Sequence, residues 1–231
     1  WYAANPGAVF DVDFSDAGGS LLATVQYAAW TATGMTATES IAWATIATGI
    51  DATTYTADWD VDFAALPEGV SYISVKAIDG DGNTSVATDS FYIRKDTAAP
   101  LFTGLSSIVN CGPDCVTLSW DAATDANGPV TYNIYTSTVS GGEDFNAPAL
   151  STDVISINMT GLSGGDHFFV VRAEDSLANE DSNSSELSVF IADTDVPYVL
   201  DHQAGDNIWY ATDPGAVFDV DFSDAGGSLL A

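Results

Sequence analysis

Apolar and polar residues alternate along much of the chain, in short runs separated by turn residues. In the segments 10–14 (FDVDF) and 59–63 (WDVDF), apolar residues occupy every second position and aspartates lie between them. A period of two places alternate side chains on opposite faces of a strand, so each run predicts a strand with one buried face. The chain shows no convincing 3.6-residue period. The pattern therefore predicts an all-β protein made of short strands, as in a β-sandwich.

Two copies of the pattern D-T-x-x-P divide the chain. They lie at 96–100 and 193–197, which is 97 residues apart and about the size of one sandwich domain. Proline fixes its own φ and holds the preceding residue in an extended conformation, so both segments suit semi-rigid linkers. We expect a first domain over 1–97, a second over 98–197, and the opening strands of a third over 198–231.

The chain also repeats itself. Residues 1–23 and 209–231 are identical except at two positions, Ala4/Thr212 and Asn5/Asp213, which gives a period of 208 residues. A copied tag would not carry two substitutions, so the period indicates one unit of a tandem array. In that array the segment 198–208 supplies the opening strand of the domain that follows. We therefore expect the first domain to lack its first strand.

One segment resembles a known family. The sequence VTLSWDAATDANGPVTYNIY at 116–135 looks like the second and third strands of a fibronectin type III domain, with Val116, Leu118 and Trp120 pointing inward. Further along, Leu162–Phe168 occupies the place of that family's Leu-to-Tyr corner. Phe168 stands where tyrosine is usual, so the resemblance implies that the hydroxyl bond of the corner is absent.

The first domain resembles the immunoglobulin-like repeats of bacterial and archaeal surface proteins. Its segment Leu66–Tyr72 keeps the corner spacing, with the tyrosine present. The two resemblances together imply two immunoglobulin-like or fibronectin type III-like β-sandwich domains in tandem, plus the start of a third.

The charge balance excludes several partners. The 231 residues carry 33 acidic and 4 basic side chains, a formal net charge of −29, and 27 of the acids are aspartate. Such a chain repels nucleic acid and anionic membranes, and it contains no apolar run long enough to cross a membrane. Cations or salt must screen its self-repulsion, which favours an extracellular location, secreted or on a cell surface.

The sequence offers little for catalysis. It contains two histidines, no plausible Ser/His/Asp arrangement and no glycine-rich phosphate loop. His167 opens a predicted strand and His202 lies in a polar stretch, where a solvated imidazole is ordinary. We therefore expect a protein that is not an enzyme.

Cys111 and Cys115 are the only cysteines. Their three-residue spacing fits neither a C-x-x-C oxidoreductase nor a zinc site, and they lie between the first two strands of the fibronectin-like domain. We expect a disulfide that closes this hairpin in an oxidising compartment, the alternative being two free thiols. Three N-x-S/T sequons make Asn83, Asn158 and Asn183 glycosylation candidates.

Calcium is the sharpest hypothesis about a ligand. The motif A-x-D-x-x-[GA]-N occurs at 77–83 and 173–179, each time between the last two strands of a domain. There the motif should lie close to two other acidic segments, the loop after the second strand and the linker that precedes the domain. Three segments with oxygen ligands suit calcium. A bound calcium ion would stiffen the hinge between domains. The alternative is that these residues cap turns and face water. The candidate ligands are Asp79, Asp81, Asn83, Asp96, Asp121, Asp125, Asp175, Asn179, Asp193 and Asp195.

Two surface features complete the picture. We expect one sheet face to carry four aspartates, Asp11, Asp13, Asp60 and Asp62. Their mutual repulsion would be offset by bound cations or by ambient salt, or the acids would be tolerated because they prevent the sheet from associating with other sheets. Aromatic rings also stack on sugars, which makes surface glycans a partner to consider for Trp30, Trp43 and Trp59. Alternation favours core packing for these tryptophans.

The predicted function is a structural, non-catalytic repeat unit of a long extracellular fibre, adhesin stalk or sheath. Its partners would be neighbouring repeats or copies of itself, joined covalently or by exchange of a strand resembling 198–208. The alternative is a spacer or carbohydrate-binding accessory module of a large secreted enzyme.

Overall fold

The computed structural model describes residues 1–201 and 220–223. They form two compact units. Unit 1 consists of Trp1–Pro100 with the loops Asp125–Pro129 and Glu174–Glu180, and unit 2 of Leu101–Thr124, Val130–Ala173 and the described residues from Asp181 onward. In this part of the chain, no helix has the length and apolar character needed to span a membrane.

Unit 1 contains a four-stranded antiparallel sheet and a two-stranded one. Its strands are β1 (Phe14–Ser15), β2 (Leu22–Ala32), β3 (Thr36–Ala52), β4 (Thr54–Tyr55), β5 (Gly69–Asp79) and β6 (Thr84–Lys95). The large sheet has the order β3-β2-β5-β6, and the small one pairs β1 with β4. Side chains from both sheets and from the segment 59–66 form one core, which includes Leu22, Val25, Ile73, Val75, Ile93, Phe14, Trp59 and Val61.

The apolar residues of the two alternating segments of unit 1 pack into or against the core as predicted, but the segments are not regular strands. Trp59, Val61 and Phe63 are buried, while the aspartates between them are exposed. Hydrogen bonding between the segments is limited to one isolated bridge, in which Phe10 and Trp59 exchange N–H···O bonds of 3.2 Å. A 3₁₀ turn at Phe63–Ala65 ends the extended course because the Asp62 carboxylate accepts the Ala65 N–H. The two segments are therefore neighbours as predicted, but they pair through this single bridge and not as regular strands.

Unit 2 contains two sheets of a sandwich and a separate strand pair. Its strands are β7 (Leu105–Gly112), β8 (Cys115–Trp120), β9 (Thr131–Ser137), β10 (Leu150–Thr152), β11 (Ser156–Thr160), β12 (Gly165–Glu174), β13 (Leu187–Ile191), β14 (Tyr198–Asp201) and β15 (Val220–Ser223). The sheet orders are β11-β8-β7 and β10-β9-β12-β13, and β14 pairs with β15.

The core of unit 2 lies between its two sheets. The inward residues of β8, Val116, Leu118 and Trp120, pack with Ile134 of β9 and Phe169 of β12, and all five are nearly inaccessible to solvent. Trp120 was predicted to point inward along with Val116 and Leu118, and it does. These facing antiparallel sheets confirm the predicted all-β, fibronectin type III-like sandwich.

The corner of unit 2 differs from the prediction by one residue. His167, predicted to be solvated, is 6% exposed, and its Nε2 lies 2.9 Å from the carbonyl oxygen of Ser163. Phe168 is only partly buried, because residues 167, 169, 171 and 173 form the inward face of β12. An inward side chain that bonds to backbone a few residues upstream is the arrangement of a tyrosine corner. Here a histidine supplies it.

Unit 1 shows the same one-residue offset. Ser71 is the buried residue of β5 next to Ile73, whereas Tyr72 is half-buried with its ring 6.4 Å from the ring of Tyr92. Tyr72 therefore does not occupy an inward corner, although the spacing from Leu66 predicts that it does.

The second copy of the repeated sequence pairs with the segment that precedes it. With the period of 208 residues, β15 is the counterpart of residues 12–15, and it pairs antiparallel with β14 from Tyr198↔Ser223 to Asp201↔Val220. The expected opening strand over 198–208 is thus a strand over its described part, 198–201. Residues 202–208, His202 and most of the repeated segment 209–231 lie outside the described residues.

Candidate metal centre

Three aspartates from distant parts of the sequence meet in unit 1. Asp96 follows β6, Asp125 opens the loop 125–129, and Asp175 opens the turn after β12. One carboxylate oxygen from each lies within 4.8 Å of the others. Asp96 and Asp175 are buried and Asp125 is half-buried. The structure thus brings together three of the ten predicted calcium ligands.

Asp175 is fixed by its own turn. Its Oδ1 accepts the N–H groups of Leu177 and Asn179, both at 2.8 Å, and its Oδ2 accepts the side-chain amide of Asn179 at 2.7 Å. The same amide nitrogen lies 3.2 Å from the main-chain oxygen of Asp96. Asn179, also a predicted ligand, therefore joins the Asp175 turn to the chain at Asp96 through hydrogen bonds.

Asp96 is the most buried of the three, at 3% exposure. Its Oδ1 accepts the Ala98 N–H at 3.4 Å, while its Oδ2 is buried and has no hydrogen-bond donor. Burial raises the pKa of Asp96, and the charges of Asp125 and Asp175 raise it further, against the lowering effect of the Ala98 N–H and the Asn127 side chain. A buried carboxylate oxygen without a donor is costly unless a proton or a cation satisfies it.

No described basic side chain forms a salt bridge with these three aspartates. The adjacent Lys95 directs its Nζ elsewhere, to the carbonyl oxygens of Phe63 (3.2 Å) and Leu66 (2.8 Å) and towards Glu68 at 3.9 Å. Within the described chain, no salt bridge therefore offsets the negative charge of these carboxylates. A group of oxygen donors with that charge suits a hard divalent cation.

The first copy of the A-x-D-x-x-[GA]-N motif closes a turn in the same way as the second. Asp79 accepts the backbone N–H of Asn83 at 2.8 Å and its side-chain amide at 2.7 Å, and also the Ser20 hydroxyl at 2.8 Å. The Asn83 amide and the Ser20 hydroxyl lower the pKa of Asp79. Among the described residues, Asp79 and Asp81 belong to no group of three His, Cys, Asp or Glu ligands. Turn capping, the alternative weighed for this motif, accounts for the contacts seen here.

The remaining predicted ligands do not join such a group within the described chain. Asp121 is exposed. Asp193 and Asp195 line a surface depression of about 300 Å³ in unit 2 together with Asp114, and Asp193 accepts the Asp195 N–H at 2.9 Å.

The disulfide prediction is confirmed. Cys111 and Cys115 are bonded across the turn between β7 and β8, with Cα atoms 5.1 Å apart.

The three sequon asparagines occupy different environments. Asn83 is exposed but its amide binds Asp79, and Asn158 is exposed with its Oδ1 accepting the Thr117 hydroxyl at 2.8 Å. Asn183 donates its amide to the carbonyl oxygen of Val171 at 2.9 Å, so a glycan on this nitrogen would disturb that bond. Glycosylation at the three sites stays a prediction.

The tryptophans considered for sugar binding serve mainly as core residues. Trp30 and Trp59 are buried, and Trp43 is half-buried with the Lys76 Nζ 4.3 Å from its ring centroid. The exposed aromatic residues of unit 1 are instead Trp1, Tyr2 and Tyr92, and the rings of Trp1 and Tyr92 lie 5.7 and 5.2 Å from the Arg94 guanidinium. Tyr92 and the buried Ile93 are adjacent in β6 and therefore lie on opposite faces of the sheet, so the alternation of this strand could have indicated that Tyr92 is exposed.

Comparison with curated proteins finds a relative of part of the chain. The chain is 32% identical over 157 residues to chitinase A1 of Niallia circulans, a match that covers 63% of this chain and 20% of that protein. The chain thus spans about a fifth of the length of the relative. No family model matches the chain.

Solved structures that match the chain include fibronectin type III domains. The FN1–FN3 domains of chicken CNTN1 match with a TM-score of 0.39 and 14% identity, over 82% of this chain and 65% of that one. The fibronectin(III)-like modules of Clostridium thermocellum CbhA match with a TM-score of 0.34 and 14% identity, over 80% of this chain and 87% of that one.

Proposed function

We propose that the chain is a non-catalytic spacer segment of a larger secreted enzyme. The observation that carries this proposal is the likeness to chitinase A1, which extends over 157 residues but reaches only a fifth of that protein. A likeness to about a fifth of an enzyme's length has the extent expected of a module that accompanies the catalytic part.

The construction of both units supports a mechanical role. Their inward positions are filled by aliphatic and aromatic side chains that form one continuous core each. A filled sandwich resists unfolding but leaves little internal space for a substrate. The Cys111–Cys115 disulfide agrees with folding in an oxidising compartment, and the charge of −29 agrees with a location rich in cations.

The test uses the purified 231-residue chain. We expect a monomer in sedimentation, no hydrolysis of chitin oligosaccharides, and no retention on insoluble chitin or cellulose. Hydrolysis of the oligosaccharides would contradict the non-catalytic proposal. Retention on the polysaccharide would contradict a pure spacer and would indicate a carbohydrate-binding accessory module.

Matched variants would locate such binding. Replacing Tyr92 by alanine removes the most exposed aromatic ring of unit 1, while Val86→Ala changes an exposed apolar residue on the same strand, β6. Weaker retention in Tyr92→Ala alone would assign binding to the surface around Tyr92.

A repeat unit of an extracellular fibre is the second candidate, and one observation favours it. The strand β14 pairs with β15, which is the second copy of residues 12–15. In a tandem array, the end of one repeat would thus enter a sheet begun by the next. Electron microscopy of the concentrated chain separates the candidates, since ordered filaments favour the fibre and dispersed particles favour the spacer.

A further inference from the structure

The cluster of Asp96, Asp125 and Asp175 has the geometry of a single cation site. Two oxygens bound to one calcium ion on opposite sides are about 4.6–5.2 Å apart, twice the usual bond length of 2.3–2.6 Å. The three carboxylates place one ligand oxygen each within 4.8 Å of the others, a separation in the range found between oxygens bound to the same ion. Acidic groups alone do not define such a site, because exposed aspartates often lie close together without a ligand.

The Oδ2 atom of Asp96 supplies an independent indication of a ligand. Asp96 is 3% exposed, and its Oδ2 has no donor among the described protein atoms. The other Asp96 oxygen accepts the Ala98 N–H over a long 3.4 Å. A buried carboxylate oxygen beside two more carboxylates lacks a positive partner, and a bound cation would provide one.

The donor set selects the kind of cation. All three side chains offer hard oxygen ligands, and no cysteine or histidine belongs to the group, which disfavours zinc and copper. Carboxylates binding through one or two oxygens can provide three to six of the six to eight ligands that calcium takes, with water providing the rest. Magnesium needs a strict octahedron and usually binds one or two carboxylates, so it fits three protein acids less well.

We propose that Asp96, Asp125 and Asp175 bind one calcium ion, which ties together three segments of unit 1 that are distant in sequence. The loop Asp125–Pro129 and the turn Glu174–Glu180 are held to the end of β6 by polar contacts such as the bond from Asn179 to the Asp96 carbonyl oxygen. Without the ion the three carboxylates repel one another, whereas a bound ion attracts each of them. This proposal is independent of the spacer role.

Isothermal titration of calcium chloride into the chelator-treated 231-residue chain is the direct test. At 0.15 M sodium chloride, which screens diffuse binding to the acidic surface, we expect one saturable site with a dissociation constant of about 10⁻⁴–10⁻³ M, as in extracellular modules. Because an ion that binds only the folded state stabilises it, the unfolding temperature should rise with calcium concentration and fall back with chelator.

Variants identify the ligands. Asp125→Asn, a change at a half-buried residue, should weaken calcium binding at least tenfold, and Asp96→Asn should do the same. Asp11→Asn makes the same change of charge at an exposed acid and should leave binding unchanged. In chelator, Asp96→Asn should unfold at or above the temperature of the parent chain, because it removes one of three repelling charges, yet calcium should no longer raise that temperature.

Three results would overturn the proposal. The first is that the chain shows no saturable calcium uptake. The second is that Asp125→Asn binds calcium as well as the parent chain does, and the third is that the chain binds magnesium as tightly as calcium. If Asp96→Asn fails to fold, Asp125→Asn and its control decide the outcome.

Discussion

His167 Nε2 lies 2.9 Å from the carbonyl oxygen of Ser163, four residues earlier in the chain. Because a carbonyl oxygen can only accept, this ring nitrogen carries the proton and donates it. The bond fixes the entry to β12, whose inward residues form much of the core of unit 2.

Replacing His167 by leucine should therefore destabilise unit 2. Leucine still fills the buried position but cannot donate to the Ser163 carbonyl oxygen. The loss should be about 1–2 kcal/mol in the free energy of unfolding. Urea denaturation followed by tryptophan fluorescence measures the loss. Phe168→Tyr is the control, since it restores the family residue at a position that does not face the core. A stabilising effect of Phe168→Tyr would show that residue 168 occupies the corner after all.

Gly104 depends on its lack of a side chain. It has a φ of +89°, and a Cβ there would collide with the Asn183 amide nitrogen, which donates to the Val171 carbonyl. Gly104→Ala should thus cost about 2–4 kcal/mol through backbone strain and displacement of Asn183.

Gly161 separates the two causes. It has a similar φ of +74° in the same unit, but no atom lies within 4 Å of the position that a Cβ would take there. Gly161→Ala should cost only about 1–2 kcal/mol, the strain of the left-handed region. Equal losses in the two variants, measured by urea denaturation, would exclude a role for the Asn183 contact.

The disulfide should stabilise unit 2 by a modest amount. It closes a short loop of five residues from Cys111 to Cys115, for which the chain-entropy estimate is about 2 kcal/mol. The double variant Cys111→Ser, Cys115→Ser should lose about that much, and reduction of the parent chain should produce the same shift. An unchanged denaturation midpoint would mean that the β7–β8 hairpin is held by its other contacts alone.

Glu143 gives unit 2 a defined pH dependence. Its Oε1 is buried without a donor, and burial, together with the nearby Glu186, raises the pKa of Glu143. A raised pKa in the folded state means that stability is greatest below the ordinary glutamate pKa and falls as the pH rises through the folded value. Glu143→Gln removes this charge and should raise the unfolding temperature at pH 7 more than at pH 4, as thermal melts over that range would measure.

Asp144 provides a control of opposite sign. The backbone N–H and side-chain amide of Asn146, each 3.0 Å away, lower the pKa of Asp144. Its contribution is therefore present above the ordinary aspartate pKa and is lost as the pH falls. Asp144→Asn should lower the unfolding temperature at pH 7 and have less effect in acid. The same trend in both variants would contradict the assigned causes.

Local sequence pattern accounts for which residues are buried. Alternation correctly placed Trp59, Val61 and Phe63 inside and the aspartates between them outside, although the segment is mostly not a strand. It also placed Val116, Leu118 and Trp120 in the core of unit 2. The free energy gained by burial depends on the apolar area of each side chain, and this area is set by the residue type.

Pairing and register depend on contacts that local pattern does not contain. The spacing from the preceding leucine predicted Phe168 and Tyr72 at the corners, yet His167 and Ser71 take the inward positions. A shift of one residue reverses every side chain of a strand, and the choice is made by the whole core that the strand must fit. The hydrogen bond of His167 then satisfies its buried ring.

The sequence by itself determined an all-β chain with alternating burial, an acidic surface, a disulfide turn and a period of 208 residues. The motif at 77–83 and 173–179 was visible too, but it forms the same hydrogen-bonded turn in both places. Only the tertiary structure decided that the second turn meets Asp96 and Asp125 while the first lies in no such acidic group of the described chain. The reason is that identical local hydrogen bonds build identical turns, whereas a cation site needs charges from residues far apart in sequence.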